Sequence, residues 1–113
     1  MKRLFVPSLA VGALLLLPGS LCAQDVKEKA MEVFVKQKCT QCHSIAGRGN
    51  KKGALDDVGK KLAPADIKAW IVDPAGMAKK TTPPPTRKPV MKKKDLADKD
   101  VEALVAYLST LKG

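Results

Sequence analysis

An all-α fold is predicted by three observations on this 113-residue chain. Apolar residues recur at helical spacing in three separate segments. No segment alternates apolar and polar residues as a half-buried strand would. Prolines and glycines gather between the helical segments rather than between short alternating runs.

The elements follow in chain order. Lys2 and Arg3 precede an apolar run from Leu4 to Leu17, broken by Pro7, Ser8 and Gly12, and Pro18-Gly19-Ser20 leads to Leu21-Cys22-Ala23. This is the layout of a secretory signal peptide over residues 1–23, leaving a domain at 24–113. The cut follows Ala23, with Cys22 as the other position because Leu21 is bulky for its place. An uncleaved membrane anchor is the competing reading. Leu4 to Leu21 is close to the ~20 residues a spanning helix needs, but two prolines weaken it. Leu21 also argues against a lipid-modified Cys22. Export to the periplasm is the expectation.

Asp25 followed by Glu28 reads as an acidic helix start, and Val26, Ala30, Val33 and Phe34 share one face up to about Lys38. Residues 46–61, rich in Gly, Lys and Asp, read mostly as loop. Pro64 suits a first helical turn, and Ile67, Trp70 and Ile71 share a face until Asp73-Pro74 stops the helix. Residues 79–94 hold Pro83, Pro84, Pro85 and Pro89 among basic residues and should be an extended loop. The last helix starts near Asp98, with Val101, Leu104, Val105, Leu108 and Leu111 as its stripe.

Composition says what this chain is not. Hydrophobic residues make up 45%, which excludes a disordered chain, and three cysteines are too few for a disulfide scaffold. Removing Lys2 and Arg3 with the leader leaves 19 basic against 11 acidic residues, a charge of +8. Only Phe34, Trp70 and Tyr107 then remain as aromatics. A domain this small buries about 60–65% of its unfolded surface and is marginal unless something adds to its core. A staple other than disulfides should therefore be sought.

Cys39-Thr40-Gln41-Cys42-His43 supplies a candidate. Two thiols three residues apart, followed at once by an imidazole, form the pattern of c-type haem attachment. Cys39 and Cys42 would bind the porphyrin vinyl groups as thioethers, and His43 would be the proximal ligand of the iron. A zinc site needs four donors, and no Cys or His follows His43, so only a carboxylate could complete one. A redox dithiol would need a βαβ context that the pattern lacks. A short Cys39–Cys42 disulfide would leave the thin core unexplained.

Over residues 24–113 the chain resembles the class I cytochromes c, in Phe34-Val-Lys-Gln-Lys-Cys39-Thr-Gln-Cys42-His43 and in Lys88-Pro-Val-Met91 followed by Leu104-Val-Ala-Tyr107-Leu108. The resemblance implies three to four helices wrapped around one covalently attached haem, with the N- and C-terminal helices crossing. Ala30 and Phe34 should then meet Leu104 and Tyr107. It also implies a Met on a later loop as second axial ligand. Met91, beyond the prolines and shortly before the last helix, matches that place; Met77 is the runner-up, and Met31 reads as core. Many members have Gly-Pro where this chain has Gly53-Ala54-Leu55, so the Ala54 carbonyl is expected to accept from His43. Trp70 is either a haem-propionate contact or a core residue beside Ile67 and Ile71.

The resemblance implies a one-electron carrier with haem and iron and no enzymatic reaction of its own. The alternatives are a small subunit of a larger periplasmic oxidoreductase, or a haem sensor or peroxidase-like protein whose Met comes off. Lys79, Lys80, Arg87, Lys88 and Lys92–Lys94 bracket Met91 and suit redox partners with acidic faces. The segment has no aromatic to stack bases, which disfavours nucleic acid; weak contact with an anionic membrane is compatible, and a monomer is expected.

Overall fold

The computed structural model describes residue 12 and residues 19–113, the side chains of 19–22 excepted. Apart from Gly12 and the stretch from Gly19 on, the expected signal peptide lies outside the described residues. Helix α1 spans Gly19–Lys36, and a 3₁₀ turn covers Cys39–Gln41. Strands β1 (Ser44–Ile45) and β2 (Arg48–Gly49) pair antiparallel, with Ser44 opposite Gly49 and Ile45 opposite Arg48. A second 3₁₀ turn at Lys51–Gly53 precedes α2 (Val58–Lys61), α3 (Pro64–Val72), α4 (Pro74–Lys80) and α5 (Asp98–Leu108).

Helix α1 carries Ala30, Val33 and Phe34 onto α5, where Leu104 and Leu108 receive them, with Ile45 and Ile67 closing the cluster. Phe34 is 2% exposed and Leu104 3%, while Tyr107 packs on the cluster from its edge. The expected meeting of the first and last helices is therefore present. Burying a Leu or Phe side chain contributes roughly 1.5–3 kcal/mol, so this seam supplies much of the apolar driving force. A Lys29–Asp100 ion pair at 3.5 Å joins the same two helices. Asp98 and Asp100 in the first turn of α5 suit its positive dipole end.

Several expectations need correction. α1 begins at Gly19, not near Asp25, because after Pro18 no proline interrupts the chain until Pro64. Asp73-Pro74 ends α3 but also starts α4. The Asp73 carboxylate accepts from the Gly76 N–H at 3.1 Å, and Pro74 occupies the first helical position. Within residues 46–61 the chain forms β2, the second 3₁₀ turn and the single turn α2 instead of open loop. Among the described residues the α-helices number five, two of them the short α2 and α4, which is compatible with the expected helical fold. The two-residue strands were not foreseen, being too short to show alternation. Residues 82–97 form no helix or strand, bend at 82–83 and 88–89, and are exposed apart from Leu96, an irregular loop where the proline cluster predicts one. Among the described residues, no helix is long and apolar enough to cross a membrane.

Candidate haem site

The motif follows directly from how α1 stops. Lys38 adopts the left-handed region, with φ of 59°, which turns the chain out of the helix. Residues 39–43 then wind into a helical turn: the Cys42 N–H donates to the Cys39 carbonyl at 3.1 Å, and the His43 N–H donates to the same oxygen at 2.8 Å. Both thiols and the imidazole thus come from a single turn of backbone, with Cys39 three residues from Cys42 and four from His43. Cys39 and Cys42 are half-buried free thiols, not a disulfide. Burial pushes the Cys39 thiol up from its ordinary value, against the lowering charge of Lys94.

His43 is oriented by a backbone carbonyl. Its Nδ1 lies 3.0 Å from the Gly53 carbonyl oxygen, which can only accept, so Nδ1 carries the proton. Nε2 keeps its lone pair free for a metal. Burial holds the imidazole below the usual histidine range, and the Arg87 charge acts the same way, while the Gly53 hydrogen bond opposes both. A neutral imidazole is the form that ligates.

The acceptor is thus Gly53, one residue before the Ala54 carbonyl that the sequence pointed to. Ala54 bridges Ser44 instead, and the Leu55 N–H donates to the Ser44 carbonyl at 2.8 Å. Only a glycine fits at 53, because a Cβ there would collide with the Cys42 carbonyl and the Arg87 guanidinium. Gly49 is required for a second reason: its φ is +110°, and its Cα abuts the His43 carbonyl.

Asn50 was missed by sequence reasoning. Its N–H lies 3.0 Å from both the Thr40 and His43 carbonyls, its Nδ2 donates to the Gln41 carbonyl at 3.1 Å, and its Oδ1 accepts from the Lys52 N–H at 3.0 Å. It ties the Gly53 turn to the motif. The available signal was Gly49-Asn50, a turn-forming pair whose Asn side chain bonds backbone nearby.

Beside this cradle lies a hollow of about 800 Å³, lined in part by Ala54, Leu55, Val58, Leu62, Trp70 and Met77. Its size falls in the ~300–1,000 Å³ range of small-molecule and cofactor sites. Trp70 faces this hollow and is not part of the central cluster, whereas its neighbours Ile67 and Ile71 pack there. Met77 is half-buried, Met31 packs on the core, and Met91 is 43% exposed beside Val90 at 54%. The structure therefore puts Cys39, Cys42 and His43 on one turn of backbone, sets Trp70 and Met77 in the hollow, and holds Met91 on the long loop.

These residues fit a covalently attached haem. Two free thiols stand on the same turn as an imidazole with an unengaged Nε2, and a hollow large enough for a flat macrocycle opens at Ala54 and Leu55, just beyond the Gly53 carbonyl, although none of the three motif side chains lines it. Among the described residues no three His, Cys, Asp or Glu side chains are grouped to hold a bare metal ion, so a zinc site has no counterpart.

Comparison with known proteins agrees. A family model for Cytochrome c matches residues 28–112. The chain is also 28% identical, over 98 residues, to cytochrome c oxidase subunit 2 of Alkalihalophilus pseudofirmus, a match covering 79% of this chain and 27% of that protein. The chain thus spans about a quarter of the length of this curated relative. No solved structure matches. With the helical fold, the attachment motif and the match over residues 28–112 in agreement, the chain belongs to the cytochrome c family.

Proposed function

We propose that this protein is an exported, soluble periplasmic electron carrier, whose covalently attached haem c is held by Cys39 and Cys42 and ligated by His43 and Met91. Membership of the family implies the haem c and its iron. The haem, when bound, supplies an iron that takes up and gives back one electron. What this chain contributes is position, polarity and exclusion of water. The observation that carries the proposal is the Nδ1–H bond from His43 to the Gly53 carbonyl, which leaves Nε2 as a preset ligand beside two thiols.

Support for Met91 comes from the path of the long loop. Arg87 lies against Gly53 at one end and the Lys94 charge reaches the Cys39 thiol at the other, so the segment spans the motif with Met91 between. Val90 and Met91 are also apolar side chains exposed among lysines, which suits residues that a cofactor covers. Met77, in the hollow with Trp70, fits a packing role. A thioether ligand would favour the ferrous form and raise the potential. Saturated ligation leaves no open position for a substrate, and no set of catalytic side chains accompanies the site, so no enzymatic reaction is assigned to the chain.

The basic residues 87–94 around Met91 suit docking to acidic faces of redox partners, with encounter faster at low salt. Export follows from the leader reading of residues 1–23 and fits a compartment where thioether attachment is used. Absorption spectra of the purified chain, oxidised and reduced, test the assignment. A covalent low-spin haem is expected, with the Met-ligated signature lost in Met91→Ala and kept in Met77→Ala. Absence of covalent haem would sink the proposal, and the reverse pattern would move the ligand to Met77.

The match to an oxidase subunit favours a second reading, in which the domain serves as a subunit of a larger oxidoreductase. Co-purification at fixed stoichiometry with a membrane oxidase would establish it; isolation as a monomer with fast, salt-dependent electron exchange would favour the free carrier.

A further inference from the structure

Arg87 reaches from the long loop to the turn that orients His43. Its guanidinium lies so close to the Gly53 Cα that a Cβ there would collide with it, and Gly53 is the residue whose carbonyl accepts from His43 Nδ1 at 3.0 Å. Among the described residues no Asp or Glu forms an ion pair with Arg87. The ion pairs among the described residues are Lys29–Asp100 and Lys61–Asp57. A guanidinium with no ion-pair partner among the described residues therefore rests on the one peptide that holds the imidazole.

We propose that Arg87 is a positioning residue on the His43 side of the haem, shielding the Gly53 carbonyl–imidazole hydrogen bond from water and biasing the centre toward its reduced state. The proposal rests on His43 as the axial ligand. The oxidised centre carries one more positive charge than the reduced one, so a fixed cation nearby disfavours oxidation. The side chain is exposed overall, so solvent and salt screen it and the effect is modest. Nothing in the sequence separates Arg87 from its neighbours Lys88 and Lys92–Lys94; only the fold brings it to Gly53.

The test compares Arg87→Gln, Arg87→Lys and Lys93→Gln in the haem-loaded full chain. Arg87→Gln should lower the reduction equilibrium constant about threefold at low salt, which is about 28 mV at about 59 mV per tenfold for one electron. It should also speed hydrogen exchange of the His43 Nδ1–H, read by NMR of the reduced protein. Arg87→Lys should restore most of both, and Lys93→Gln, which removes a charge from the same loop, should leave the exchange unchanged. The proposal is overturned if Arg87→Gln leaves the exchange unchanged and shifts the potential no more than Lys93→Gln does. Absorption spectra separate the two levels of failure. Intact low-spin haem with an unmoved potential overturns the role of Arg87 alone, whereas no covalent haem in the unsubstituted protein removes the ligation reading and this proposal with it.

Discussion

Two regions face the haem site, and they are built in opposite ways. Residues 39–55 are stitched together: Asn50 alone bonds the backbone at Thr40, His43, Gln41 and Lys52, Gly53 holds the imidazole, and Leu55 is tied to Ser44. Residues 82–96 make no hydrogen bond among the described residues, and prolines and lysines fill them. The first region needs nothing external to orient its ligand. The second has no such ties and is restricted mainly by its prolines. Under the proposed ligation the two would serve different ends, the preset imidazole keeping rearrangement on electron transfer small and the loop covering the cofactor against water.

The comparison can be broken most severely at the thiols. Cys39→Ala/Cys42→Ala should abolish covalent haem, and circular dichroism should show large loss of the native helical signal, because side chains alone underfill the core. A fully helical, cooperatively melting apo-variant would show that the two regions fold without the haem between them. Gly53→Ala comes next. Its Cβ must displace the Cys42 carbonyl, a backbone clash that should cost about 1–3 kcal/mol in denaturant unfolding of the holo-protein. Asn50→Ala removes the side-chain bonds to Gln41 and Lys52 and should cost about 1 kcal/mol by the same measurement. The smallest effect is expected in the loop: Pro84→Ala should stay within about 0.5 kcal/mol, since the residue is exposed and bonds nothing. A loop effect equal to that of Asn50→Ala would erase the contrast.

Legibility in the sequence followed the range of the interactions. The Cys39, Cys42 and His43 constellation was readable because its spacing is local, and the α1–α5 seam was readable because apolar residues repeat at helical period in both segments. The helix α4 was hidden because Asp73-Pro74 signals a stop as strongly as a start, and only the acceptor bond from Gly76 decides between them. The choice of Gly53 over Ala54 was hidden by a single residue. Any carbonyl near position 54 can accept from an imidazole, and which one arrives depends on the Asn50 tie and on the room left by a missing Cβ.

The amino-acid sequence by itself determined the helical class, the attachment motif and the need for a staple other than disulfides. Each of these depends on composition or on residues a few positions apart. Tertiary structure alone decided which carbonyl holds His43, that Trp70 and Met77 line one hollow, and that Arg87 rests on Gly53. Those pairings join residues 7 to 34 positions apart across turns. Their geometry is set by where the backbone can pass, which no local pattern records.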